Sequence, residues 1–192
     1  MNGFKKELKI LKKIKQLELD QNGGFPEILS AKISQSIGEI VMTNVGKDVF
    51  EVFKISQSLD DSSKHEKMSD SEIFDFGMQI VSQLEILHKL GYTHGDLKFQ
   101  NICFDEHTKR FTLIDFALAT KIFHKNGEHQ RQKKVSHFYG NPLFASDDMI
   151  QMKTPGRKDD LESLIYILCF MRDGMVPTIE FVNIHIDSIQ MP

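Results

Sequence analysis

The spacing of apolar residues changes period several times along this chain, and each change predicts an element. Phe4, Leu8, Leu11 and Ile14 recur at three- and four-residue intervals among lysines, which predicts an amphipathic helix reaching about Leu19. Asn22-Gly23-Gly24-Phe25-Pro26 gathers strong backbone breakers and ends it. Residues 28–34 and 39–43 read as short strands joined across 35–38, and residues 49–58 as a short helix followed by a polar, solvated loop over 59–68. Ser69-Asp70-Ser71-Glu72 is a capping box at the head of a long helix that buries Ile73, Ile80, Leu84 and Leu87 and stops at Gly91. Ile102-Cys103-Phe104 and Phe111-Thr112-Leu113-Ile114 predict a hairpin about the polar turn 105–110. Residues 120–139 are polar and basic without period, which reads as a mobile loop. Leu161, Leu164, Ile165, Ile167, Leu168, Phe170 and Met171 cover most faces of a last helix, which predicts a buried central element. A strand-poor first part and a mainly helical second part meet near residues 44–48.

Composition narrows the class. The chain has 192 residues, a net charge of −3 and 40% hydrophobic residues, enough for one well-packed domain with a small second lobe. Near-neutral charge argues against a nucleic-acid partner. Cys103 and Cys169 both lie in apolar runs and read as buried small hydrophobes of a reducing compartment rather than a disulfide. No apolar stretch reaches membrane-spanning length, and the start lacks a signal-peptide pattern. A monomeric protein of the cell interior, cytoplasmic or nuclear and without a membrane partner, is the expectation.

Candidate chemistry concentrates at His94-Gly95-Asp96-Leu97-Lys98-Phe99-Gln100-Asn101 and at Asp115-Phe116-Ala117. Asp96 can accept or orient the proton of a substrate hydroxyl, and Lys98 can set its ammonium against a transferred phosphate. Asn101 and Asp115 offer the hard oxygens that magnesium prefers, and the predicted hairpin brings Asp115 back beside Asn101. His124, His129 and His137 lack a tight metal spacing and read as solvated.

These two motifs resemble the catalytic and metal-binding loops of protein kinases. Asp159-Asp160-Leu161-Glu162-Ser163-Leu164 and Gly140-Asn141-Pro142-Leu143-Phe144-Ala145-Ser146 resemble signatures of one branch, the casein kinase 1 family and its vaccinia-related cousins. Gly23-Gly24-Phe25-Pro26 resembles that branch's turn after its first small-lobe helix, and Val41-Met42-Thr43-Asn44-Val45-Gly46 its hinge. The resemblance implies an α+β, two-lobe kinase-like fold, with a partial small lobe over residues 1–46 and an incomplete, mainly helical large lobe over 47–192. It implies ATP and Mg2+, with γ-phosphoryl transfer to Ser or Thr of protein substrates that are acidic or already phosphorylated. Asp96 becomes the catalytic base and Lys98 a phosphate contact, with Asn101 and Asp115 the magnesium ligands. Met42 becomes the gatekeeper, Thr43, Asn44 and Val45 the adenine edge, and Glu7 the partner of a nucleotide-binding lysine. Asp160 ties the catalytic loop to the central helix, and Arg131, Lys133 and Lys134 lie beside the substrate groove.

The departures from the pattern are specific. The chain starts at the helix carrying Glu7, so the Gly-rich phosphate loop and the strand lysine have no counterpart, and Lys5, Lys6 and Lys9 share Glu7's helix. Gly95 replaces an arginine, Ala117 a glycine and Asn141 a threonine. An active kinase, a scaffold that has lost nucleotide chemistry, and a fragment of a fuller kinase all stay open on this reading.

Overall fold

Helix α1, Asn2–Lys15, turns Ile10, Leu11 and Ile14 inward, and Phe4 lays its ring over Gly38. The computed structural model describes residues 2–17, 24–34, 37–53, 68–174 and 176. Strands β1, Ile28–Ser34, and β2, Ile37–Met42, form an antiparallel pair from Ile28 opposite Met42 to Ser34 opposite Ile37. Ile37 and Gly38, expected in the connection, belong to β2: cross-strand pairing extends the strand past its apolar run. The expected helix over 49–58 shows as α2, Val49–Val52, with Asp48 capping the N–H of Glu51 at 2.9 Å. Phe53 caps α2, and residues 54–67 lie outside the described residues; the first helix, expected to reach about Leu19, ends at Lys15.

Helix α3, Asp70–Lys89, is the rigid footing of the chain's central part. Ser69 and Glu72 form the expected capping box, the Ser69 N–H donating to Glu72 at 2.8 Å. Ile73, Phe76, Ile80, Leu84 and Leu87 make its buried stripe, and Gly91 follows the cap with a φ of 85°. Strand β3, Lys47–Asp48, pairs with β5, Ile102–Asp105, which pairs in turn with β6, Arg110–Leu113. The predicted β5–β6 hairpin forms, but Asp105 and Arg110 pair with each other and shorten the expected turn to residues 106–109, and Ile114 lies past the end of β6. Its outer edge is closed by α3. The Gln83 side chain accepts from the Leu113 N–H at 2.7 Å and donates to the Phe111 carbonyl at 2.8 Å, while Gln79 accepts from the Phe111 N–H at 3.0 Å. Two glutamines one helical turn apart thus satisfy backbone groups that a neighbouring strand would otherwise serve.

Residues 120–139, expected as a mobile loop, are anchored. Strand β7, Thr120–Lys121, pairs with β4, Tyr92–Thr93, and Phe123 bridges to His129. The Val135 N–H donates to Met152 at 2.7 Å and the Thr154 N–H to Lys133 at 2.8 Å. Backbone pairing with distant partners leaves no side-chain period to read. Helix α4, Asp147–Ile150, leads to α5, Arg157–Asp173. α5 buries Ser163, Leu164, Ile167 and Phe170 but leaves Leu161 41% and Ile165 56% exposed, so it is buried on one side rather than all round. Met149 is buried, whereas Met78 is exposed. Both cysteines are free, Cys103 buried and Cys169 half-buried. No described helix is long and apolar enough to cross a membrane.

Candidate active site

The loop 94–101 is held from below by a single carboxylate. Asp160, 1% exposed near the start of α5, accepts the backbone N–H of His94 at 2.8 Å, that of Gly95 at 2.9 Å and His88 Nε2 at 2.7 Å. This is the tie expected between the loop and the last helix. His94 braces the loop from above. Its Nε2 meets the Ile114 carbonyl at 3.1 Å while its Nδ1 accepts the Asp96 N–H at 3.3 Å, a pair of bonds that the Nε2–H tautomer satisfies. Its ring also packs edge-on against Phe116 at 5.5 Å. His94 is therefore enclosed and fully bonded, with neither nitrogen left for acid or base work.

Asp96, 5% exposed, has two unlike oxygens. Its Oδ2 accepts Lys98 Nζ at 2.7 Å and Asn101 Nδ2 at 3.0 Å. Its Oδ1 is buried with no hydrogen-bond partner among the described residues, against Gly140, where an added Cβ would stand 3.5 Å from it and 3.1 Å from the Gly95 carbonyl. Gly140 has a φ of 112°, so a bare backbone both takes this conformation and makes this approach. An unpaired buried acceptor costs about 1–3 kcal/mol, a cost that a hydroxyl donor would relieve. Asn141, next in line, turns away, its Oδ1 accepting the Leu143 N–H at 2.8 Å.

Asn101 spends its amide on Asp96, donating also to the Asp96 carbonyl at 2.8 Å, so its Oδ1 is the atom left to ligate. The Ile114 N–H donates to the Asn101 carbonyl at 3.0 Å, which closes the hairpin and sets Asp115 beside the loop. Asp115 sits exposed at a φ of 62°, a left-handed conformation eased by its own Oδ1 accepting the Ala117 N–H at 3.1 Å. One Asn oxygen and one outward carboxylate, both hard, suit magnesium, which keeps several waters and takes its other ligands from phosphate. His124, His129 and His137 form no metal-ligating cluster among the described residues.

Glu7 is placed differently from expectation. It makes no ion pair among the described residues, and its carboxyl is held above the usual range by burial and by the charge of Asp115, against the Phe116 backbone N–H, which donates to it. The methyl of Ala117 lies 3.1 Å from where a Cβ on Gly3 would stand, so α1 seats directly on this turn. The hinge is partly committed. The Thr43 N–H donates to Glu27 at 2.9 Å and the Gly46 N–H to Asn44 Oδ1 at 3.0 Å, which leaves the Thr43 carbonyl and the Val45 N–H for a ligand edge. Met42 is half-buried against the core at the hinge's start.

Sequence reasoning missed three groups. Gln83 is legible as a polar residue interrupting an apolar stripe. Lys6, though named on the first helix, gives no sign of which neighbour it meets. Asp148, which collects Lys153 and Lys158 at 2.6 Å each and Gln132 at 3.0 Å, gives none either. These donors hold its carboxyl far below the usual range, that of Lys153 foremost.

The loop pair, its brace and its hairpin define a class. The chain matches the protein kinase domain family over residues 26–188 and belongs to it. It is 33% identical over 114 residues to a probable serine/threonine-protein kinase of Dictyostelium discoideum, covering 58% of this chain and 23% of that one. A casein kinase 1-like protein of Oryza sativa subsp. japonica is 30% identical over 144 residues, covering 72% and 19%. The solved structure of vaccinia related kinase 3 superposes with a TM-score of 0.74 at 22% identity, over 94% of this chain and 55% of that one, which shows the fold. The chain spans less than half the length of the curated relatives it matches.

Proposed function

We propose that this chain serves ATP-dependent phosphoryl transfer to Ser or Thr hydroxyls of proteins, with a site of casein kinase 1 type. The carrying observation is Asp96, whose Oδ2 is fixed by Lys98 and Asn101 while its Oδ1 is a buried acceptor without a donor among the described residues. A substrate hydroxyl donating there would be oriented for in-line attack. A bond forms between the hydroxyl oxygen and the γ-phosphorus, the bond from that phosphorus to the bridging oxygen breaks, ADP leaves, and the proton passes to Asp96. Access to Oδ1 would require Gly140 to draw back from Asp96. Lys98 would share its charge with the transferred phosphoryl group. Asn101 Oδ1 and Asp115 would hold magnesium, which would supply neutralisation of phosphate charge. The Thr43 carbonyl and Val45 N–H would meet adenine, with Met42 gating. In this reading the division into residues 1–46 and 47–192 falls at the hinge, and the setting is intracellular.

Arg131, Lys133 and Lys134 are exposed on the anchored ribbon and have no carboxylate partner among the described residues, which supports acidic or phosphorylated substrates. Reversing all three charges should weaken phosphorylation of an acidic peptide far more than of a neutral one, with the gap shrinking as salt rises. Equal losses would reduce the cluster to ordinary surface charge.

A scaffold reading is favoured by one observation, that Glu7 faces Asp115 and the Phe116 N–H instead of a cation. Transfer from labelled Mg-ATP to an acidic Ser peptide separates the two. Asp96→Asn should lower turnover about a hundredfold with nucleotide affinity little changed. Asp115→Asn should weaken magnesium-dependent nucleotide binding as well. Wild-type transfer no greater than that of Asp96→Asn would refute the enzyme.

A further inference from the structure

Beside the loop 94–101, and lined in part by Gly95, lies a cavity of about 280 Å³. Its walls are mainly apolar, with Leu118, Val135, Phe138, Met149 and Pro155 contributing, and its floor is Gly95. Gly95 leaves the space open for a structural reason. Its φ is 75°, and an added Cβ would stand 3.3 Å from the Leu118 carbonyl and 3.4 Å from Pro155, so a side chain here would be both strained and crowded. Two cations line the cavity, and their states differ. Lys153 is bound to Asp148 at 2.6 Å. Lys6 reaches in from α1 half-buried, with no hydrogen bond or ion pair among the described residues, and burial lowers its affinity for a proton.

A half-buried, unpaired ammonium beside an apolar enclosure is complementary to one kind of occupant. We propose that this cavity binds a small carboxylate with an apolar body, the carboxylate pairing with Lys6 and the body packing against Leu118, Val135 and Phe138. The volume lies just below the usual range for drug-sized ligands, which limits the occupant to about one ring with a short chain. A free phosphate would meet Lys6 but leave the apolar walls uncovered. A neutral analogue would cover the walls and leave the ammonium unpaired. The inference does not depend on the chain's being an enzyme, because binding alone tests it.

The probe is 3-phenylpropionate, titrated calorimetrically into the full 192-residue chain, with 3-phenylpropionamide and inorganic phosphate as comparisons. The carboxylate should bind at least about tenfold more tightly than the amide, or about 1.4 kcal/mol, and more tightly than phosphate. Lys6→Met should erase the difference between acid and amide. It should also keep the unfolding midpoint at or above that of the parent, since it removes a charge that burial disfavours. Lys6→Arg should keep the preference, and Val135→Phe, which fills the enclosure, should weaken acid and amide alike. Equal affinity for acid and amide, a preference that survives Lys6→Met, tighter binding of phosphate, or no binding of the acid at millimolar concentration would each overturn the site.

Discussion

Replacing Asp160 by Asn changes one atom and removes one charge from the most heavily used carboxylate beneath the catalytic loop. Asp160 Oδ2 serves His94 N–H and His88 Nε2, and Oδ1 serves Gly95 N–H. The asparagine can keep its carbonyl oxygen at the Oδ2 position, which retains two bonds in neutral form. Its NH2 then faces the Gly95 N–H, donor against donor, in a site 1% exposed. Losing that partner costs about 1–3 kcal/mol, and weakening the other two from charge-assisted to neutral adds about 0.5–1.5 kcal/mol each. A total loss near 3 kcal/mol is therefore expected, a large part of the 5–15 kcal/mol typical of a domain. Urea unfolding of the full chain measures it as a fall in midpoint at unchanged slope. Hydrogen exchange at the Gly95 amide should accelerate beyond what the global loss explains, because its own bond is the one broken. A loss under about 1 kcal/mol, or an unchanged Gly95 exchange rate relative to its neighbours, would refute the claim that this carboxylate holds the loop.

Gln83→Leu should destabilise by about 2–4 kcal/mol, since it strands the Leu113 N–H and the Phe111 carbonyl in the core; denaturant midpoints check it, and a neutral result would mean that β6 does not need its surrogate neighbour. The carboxyl of Glu72 is held below its ordinary value of 4.5, chiefly by the Ser69 backbone N–H. Its contribution to stability is therefore present above that value and fades as pH falls through the lower folded one. Glu72→Gln should accordingly melt below the parent at pH 7, and the gap should narrow as pH falls below 4.5; a constant gap on acidification would assign the effect to something other than the carboxylate's charge.

Local patterns in the sequence determined much of this protein. The Ser69 capping box, the apolar stripe of α3, the stop at Gly91 and the β5–β6 hairpin follow from residues within a few positions of each other, and propensity and period act over that range. The loop 94–101 and Asp115 were legible as motifs of the protein kinase domain family for the same reason: fixed residue types at fixed spacing on short, constrained segments. Tertiary structure alone decided what depends on partners far along the chain. Residues 120–139 carry no period because their order comes from backbone pairing with β4 and with residues 152–154. Leu161 and Ile165 look like core residues by hydropathy, yet α5 is covered on one side only, and no local rule says which side. Glu7 lies beside Asp115, and the Asp96 Oδ1 lies against Gly140, because α1 docks on the Asp115–Ala117 turn and the segment after β7 docks on Asp96. Lys6 faces a cavity that Gly95 keeps open from across the fold. Electrostatic environment and enclosed volume belong to the packed arrangement of distant segments, and a one-dimensional pattern does not carry them.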